Sequence, residues 1–349
     1  MSTARDAAID VARGLAIIGI VLGHVERGLI RAGLLDGSLP GIATLDRVLY
    51  LVHLPVFALL AGLFVARGVE RDGAARYLRA RLVLFAWLYL LWSLLQGLVT
   101  VALSSLVNRP RSPVEVLELW VPKDQFWFLG WLIVATTIAA LVLPWRGGAR
   151  RVVGLVIAIG SLGFWGLGWS VVGGSGLALT GFYLVGCLVG SRGLQRVLGR
   201  LGPVRALLAA ALLSAVLAAV LGGATTAPTE GGSDRTLTSV ALGVLASVLG
   251  TAATLALARA LSRLGPLTRL LALLGERSLE IFLAHILATA GARIALQRFG
   301  VDDPTAQIVL GTAAGLAFPL ALWWALTRLR LPWLFSAPRA LTGVGRAGV

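Results

Sequence analysis

Apolar residues recur along this chain in runs of about 20, the length an α-helix needs to cross a hydrocarbon core. The pattern predicts ten membrane-spanning helices, near residues 7–25, 46–66, 82–106, 126–143, 152–169, 174–190, 204–222, 237–258, 271–290 and 305–327. Polar positions inside these runs stand out. The first run, AAIDVARGLAIIGIVLGHV from Ala7 to Val25, carries Asp10, Arg13 and His24. A charge at the centre of a membrane helix costs roughly 2.5–3.5 kcal/mol on insertion scales, so it persists where it faces protein or a water-filled cavity. Arg13 and His24 are eleven residues apart, which is about three turns or roughly 16 Å along one helix face. Asp10, three residues before Arg13, shares that face. The first helix therefore carries a polar stripe that a plain anchor would not need.

Composition supports the class. Hydrophobic residues make up 58% of the 349, and charged residues 13%. The mean hydropathy is +0.88, outside the range of soluble globular chains. The expected fold is all-α, a polytopic membrane domain over 1–335 with a short cytoplasmic tail over 336–349. No composition shift marks a soluble domain. The single cysteine, Cys187, lies in an apolar run and cannot form an intramolecular disulfide. The N-terminus does not read as a cleaved signal peptide, because charge interrupts its apolar core and no small-residue cleavage site follows His24.

Charge fixes the orientation. With both termini in the cytoplasm, 20 of the 31 basic residues fall on the inner side and nine on the outer: Arg27, Arg31, Arg47, Arg109, Arg111, Lys123, Arg235, Arg293 and Arg298. Ten acids lie outside, Glu115, Glu118, Asp302 and Asp303 among them, against Asp6, Glu70 and Asp72 inside. This is the positive-inside pattern for ten helices. The formal charge of +15 thus reads as topology, with anionic lipid as the partner and no nucleic acid implied. All of the basic residues but Lys123 are arginines, a bias that suggests a GC-rich bacterial genome and hence a bacterial plasma membrane.

The candidate chemistry divides by depth. All three histidines, His24, His53 and His285, lie within predicted helices, each toward the outer half of the membrane. Basic residues gather at the other side: Arg13, then Arg76, Arg79 and Arg81 before the third helix, and Arg277, with Glu280 one turn on and placed to pair with it. Guanidinium groups suit phosphate, and a histidine titrating near neutrality suits activation of a hydroxyl. A metal site is the competing use for three histidines, but their spacing matches no ligand motif. Gln96 and Ser93 are placed to line the path or to bond between helices. Trp120, Trp127 and Trp131 flank the fourth helix, as interfacial belt residues do.

Four blocks in order carry a family resemblance. RDAAIDVARGLAIIGIVLGH, with Asp10, Arg13, Gly14 and His24, resembles the opening of the acyltransferase-3 family of integral membrane acyltransferases. LVHLPVFALLAGLF resembles its second block through His53, Pro55, Phe57 and Gly62. QFWFLGWLIV is similar to its WFL block at Trp127, Phe128 and Leu129. LGERSLEIFLAHIL is similar to its late block at Gly275, Ser278, Leu279 and His285. The versions of the first two blocks lean toward fucose 4-O-acetylase-like members. Departures stand at Ala61 and Phe282, where the family has Ser and Tyr, and at Val56, Ala58 and Leu59.

The resemblance implies ten helices and transfer of an acyl group, commonly acetyl, from cytoplasmic acyl-CoA to a hydroxyl of a carbohydrate or other envelope molecule. No permanently bound cofactor and no metal is expected. On that reading His24 acts as base or covalent acyl carrier, and Asp10 and Arg13 organise the inner path. Arg76, Arg79, Arg81 and Arg277 would bind the CoA phosphates, while His53, His285, Glu280 and Trp127 would meet the acceptor. A transporter or flippase of a polar or lipid-linked substrate is the alternative use of such a path. A purely structural protein would tolerate leucine along the stripe.

Overall fold

A computed structural model describes residues 7–229 and 235–342. Arg5, Asp6 and Arg346 of the charge pattern, and tail residues 343–349, lie outside the described residues. The elements run α1 (Ala7–Arg31), α2 (Pro40–Gly62), α3 (Val65–Asp72), α4 (Ala74–Ala102), α5 (Pro113–Leu117), α6 (Trp127–Val142) and α7 (Gly148–Ser161). They continue with α8 (Thr180–Gly199), α9 (Pro203–Leu221), α10 (Leu237–Leu261), α11 (Pro266–Glu276), α12 (Ser278–Arg298), α13 (Pro304–Arg328) and the short α14 (Arg339–Thr342). Among the described residues there is no strand, and nine helices are long and apolar enough to cross a membrane.

The fifth expected span, 152–169, is the shorter α7, prolonged by one 3-10 turn over Leu162–Phe164. At 14 residues it is not among the nine. Gly154, the seventh of those residues, packs on Pro144 beyond the end of α6, while Ala158 and Ser161 near its end meet Gly181 at the start of α8. Just past it, Trp165 bonds the loop carbonyl of Thr226.

Element ends follow local chemistry. Proline opens α2, α9, α11 and α13, where its missing N–H is no loss. Ser112 with Glu115 forms a capping box on α5, and the bond from the Ser112 N–H holds the Glu115 carboxylate below its ordinary range. Asp303 caps α13 through the Ala306 N–H at 2.7 Å.

Several boundaries differ from expectation, two of them at candidate site residues. The apolar run at 271–290 is divided, with LLALL closing α11 and α12 starting only at Ser278 and continuing to Arg298. Arg293, counted as a loop residue, is therefore helical and buried. Helix α4 likewise begins at Ala74, so Arg76, Arg79 and Arg81 are already helical.

Helix α1 is the hub, packed by α2, α10, α11, α12 and α13. Two glycine-mediated crossings set its surroundings. A Cβ on Gly14 would meet the Leu271 carbonyl, and one on Gly275 would meet the Asp10 carbonyl, so α1 and α11 touch backbone to backbone. Helices α2 and α8 do the same at Gly62 against Tyr183 and at Gly186 against Leu59. Small residues permit this approach, and side-chain packing rather than hydrophobic segregation then holds membrane helices together. Past α13 the chain turns back. The carbonyls of Trp333 and Leu334 accept the indole N–H groups of Trp87 and Trp92 on α4 at 2.8 and 2.7 Å.

Replacing Gly275 by alanine drives a methyl into the α1 backbone, a strain of about 1–3 kcal/mol by analogy with overpacked cores. The thermal midpoint of the detergent-solubilised protein should fall. Gly160→Ala in α7, where a Cβ meets nothing within 4 Å, should leave it level or raise it.

Candidate functional site: two chambers joined at an aromatic constriction

The stripe on α1 opens into two cavities. The inner one, about 550 Å³, is lined by Asp10 and Arg13 of α1, Arg67 of α3, Tyr77 and Arg81 of α4, and Arg192 of α8, among others. The outer one, about 520 Å³, is lined by His24, Arg27 and Arg31 of α1, Tyr50 and His53 of α2, Gln96 of α4, and Asp124, Gln125 and Trp127 at the approach to α6. Ile20, Phe128 and Phe282 line both. The Phe128 and Phe282 rings stand 5.7 Å apart, and Trp131 backs Phe128 at 5.0 Å. An apolar neck thus separates a basic vestibule from a histidine-bearing chamber.

In the inner chamber, Arg13 reaches Asp10 at 3.8 Å and the Leu60 carbonyl at 3.5 Å, and its guanidinium lies 4.8 Å over the Phe64 ring. It is clasped between α1 and α2, with Asp10 almost fully buried. Arg81 stacks on Tyr77 at 5.4 Å. Arg67 and Arg192 add two cations that sequence reasoning missed, since each sits among arginines that look alike in the positive-inside pattern.

The outer chamber reaches deep because the chain before α6 folds inward. Gln125 is buried, and its amide N–H₂ donates to Gln96 at 3.2 Å and to the Leu283 carbonyl on α12 at 3.5 Å. Irregular backbone at this depth is tolerated where protein surrounds it or it lines a cavity. Asp124, at φ 49°, accepts from Gln96 and from Arg111, each at 2.6 Å. On the opposite wall Arg27 makes a two-pronged bond to Asp46 at 2.6 and 2.9 Å and lies 3.5 Å over the Tyr50 ring, which in turn packs 5.2 Å from His53.

The histidines form an ordered set near the middle of their helices. His53 is the fourteenth residue of the 23 in α2, and His285 the eighth of the 21 in α12. The outer-half placement of His285 came from a helix boundary set too early. His285 is fully buried, and its ring stands 5.0 Å from that of His24. Its Nδ1 lies 3.0 and 2.9 Å from the Ile281 and Phe282 carbonyls. Carbonyls only accept, so Nδ1 must carry hydrogen, which leaves Nε2 as the acceptor of a neutral ring. No protein group among the described residues bonds that Nε2. Among the described residues no three His, Cys, Asp or Glu side chains gather as a metal would need.

Other expected site residues fall elsewhere. Arg76 and Arg79 are exposed and line neither chamber. Arg277 and Glu280 do pair, at 3.3 Å, but Arg277 turns to stack on Trp323 at 3.7 Å, and neither lines a chamber. Their neighbour Glu276 faces the inner chamber instead. Trp127 lines the outer chamber, and Trp131, expected in the interfacial belt, is fully buried with its indole N–H on Thr180 at 3.2 Å. Trp120 is exposed, as a belt residue would be. The Ser93 hydroxyl is buried away from both cavities.

The described residues thus form a polytopic α-helical membrane protein with two polar chambers that share Ile20, Phe128 and Phe282 in their walls. The sequence comparison gives the class its name. A family model described as an acyltransferase domain matches residues 6–324, nearly the whole chain, and the chain belongs to this acyltransferase-3 family of membrane acyltransferases. No curated protein and no solved structure is found to match it.

The neck can be tested directly. A cysteine in place of Thr100, which lines the outer chamber alone, should react with a membrane-impermeant thiol reagent from one face of sealed vesicles. Adding Phe282→Ala, which removes one wall of the neck, should allow labelling from both faces. Identical labelling in the two backgrounds would show that these rings do not part the chambers.

Proposed function

We propose that the protein is an O-acyltransferase of the bacterial plasma membrane that moves an acyl group, acetyl by preference, from cytoplasmic acyl-CoA to a hydroxyl of a carbohydrate or other envelope acceptor. The observation that carries the reading is the α1 stripe, which leads from Arg13 in the basic inner chamber past Ile20 to His24 in the outer one. Arg67, Arg81 and Arg192 hold the CoA phosphates at the inner mouth, the role expected of Arg76 and Arg79, which line no cavity. The slender acyl-bearing arm passes the neck and presents its thioester near His24.

His24 takes the proton of the acceptor hydroxyl as general base. The oxygen attacks the thioester carbonyl, the carbon–sulfur bond breaks, and the imidazolium returns its proton to the departing CoA thiolate. His285 positions this base. Its Nε2 lone pair stands ready to accept an N–H from His24, steadying the ring and favouring the imidazolium, as a base-orienting third group does. His53, held by Tyr50 and through it by the Arg27–Asp46 pair, faces the carbonyl oxygen as charge develops on it.

Loss of a general base costs on the order of 10²–10⁴-fold in rate. His24→Ala in lipid nanodiscs should show that loss in acetyl transfer from acetyl-CoA, followed by release of free CoA and by mass spectrometry of the acceptor. A folded His24→Ala protein with wild-type turnover would refute the assignment. His285→Asn, which retains a hydrogen-bonding side chain, should fall between the two and move the acidic limb of the kcat–pH profile.

A further inference from the structure

The outer chamber is more basic than its side of the membrane explains. Of the nine basic residues assigned to the outer side, five, namely Arg27, Arg31, Arg109, Arg111 and Arg293, line this one cavity. Among the described residues its only lining carboxylate is Asp124. Positive-inside bias draws arginine to the cytoplasm, so a cluster on the outer face, gathered around a hole, is not a topology signal. Lipid snorkelling does not account for it either, because these side chains border the cavity.

Two of the five are neutralised by acids, Arg27 by Asp46 and Arg111 by Asp124. Arg293 is different. It is 9% exposed, and its guanidinium donates to the Gln297 side-chain oxygen at 2.7 Å and to the Leu106 carbonyl at 3.3 Å, both uncharged. A buried cation held only by neutral acceptors carries a desolvation cost that a counter-charge would relieve. At the mouth, Arg31 and Arg109 lie within electrostatic range of each other, and no carboxylate pairs with either at salt-bridge distance among the described residues. Like charges placed together around a cavity await an anion. Guanidinium forks match the planar carboxylate and the phosphate alike.

We infer that the outer chamber holds an anionic subsite, formed by Arg293, Arg31 and Arg109, and that the acceptor carries a carboxylate or phosphate close to the hydroxyl that is acylated. This rests on the acyl-transfer reading above and narrows its acceptor to an acidic one. Arg293 fixes the anion within the chamber, while the pair at the mouth draws it in and accounts for the salt sensitivity expected of exposed charges.

The test uses the full-length protein in nanodiscs of zwitterionic lipid. It compares three oligosaccharides alike except for one group: a glucuronic acid residue, the same residue with its carboxyl reduced to the alcohol, and a phosphate monoester at that position. Binding is read by thermal shift and titration calorimetry, and transfer from acetyl-CoA by CoA release. The anionic compounds should bind about tenfold or more tightly than the neutral one, as a charge-assisted pair at a half-buried site allows. Arg293→Gln should bring that ratio toward one through KM rather than kcat. Arg31→Gln, at an exposed position where folding is not at stake, should lower it in the same direction and flatten its dependence on salt.

Equal binding of neutral and anionic compounds by the wild type, or a preference that survives both substitutions, would overturn the proposal. Preference for carboxylate or for phosphate identifies the acidic group. If nanodiscs doped with anionic lipid give the same stabilisation with no saccharide present, the anion is a lipid headgroup. Because binding is read apart from turnover, anion preference without any CoA release would leave the subsite standing and refute the acyl-CoA reading instead.

Discussion

Keeping Asp10, Arg13 and His24 out of lipid is the constraint on which this architecture depends. A helix bearing such a stripe cannot sit at the rim of a bundle, and α1 is accordingly enclosed by five others. That enclosure needs close backbone contact, which Gly14 and Gly275 allow by bringing α1 and α11 together carbonyl to Cα. The peripheral helices show the opposite balance. In α9 and α13 only 17% of the apolar window is buried against protein, so these helices present ordinary apolar faces to lipid.

From the buried stripe the two chambers follow. The same face of α1 that carries Arg13 carries His24 three turns on, and Ile20 between them is the apolar step that borders both cavities. Phe128 and Phe282 close on that step from α6 and α12. The neck therefore lies within the apolar stretch of α1 between Arg13 and His24. The inward-folded segment before α6 matters as much, because it places Gln125 and Asp124 among Gln96, Arg111 and the α12 backbone, to which they are hydrogen-bonded. Polar side chains near the middle of the bundle in this way line the outer chamber.

Legibility varied with the range of the signal. Asp10 beside Arg13, and Arg277 beside Glu280, were legible because one helical turn fixes both pairs. Arg27 and Arg31 could have been found too, since they lie three and seven residues past His24 on the same stripe. Arg67 and Arg192 could not, for the positive-inside rule already accounts for an arginine at either place. Arg76 and Arg79 were over-read for the same reason: their neighbour Arg81 faces the cavity, and helical rotation turns the other two to water. The start of α12 was misplaced because the apolar run LLALL that closes α11 is followed within a few residues by the apolar run of α12, and hydropathy does not register the break between them.

The sequence by itself determined that this is an all-α polytopic membrane protein with a polar first helix, because hydrophobic length is a local property that the bilayer reads directly. It also carried the motifs of the family. Only the tertiary structure decided that His285 stands against His24, that two chambers meet at Ile20, Phe128 and Phe282, and that five outer arginines surround one cavity. Those relations join residues more than a hundred positions apart. They depend on how helices rotate and cross, which close packing at a few glycines settles and no one-dimensional pattern encodes.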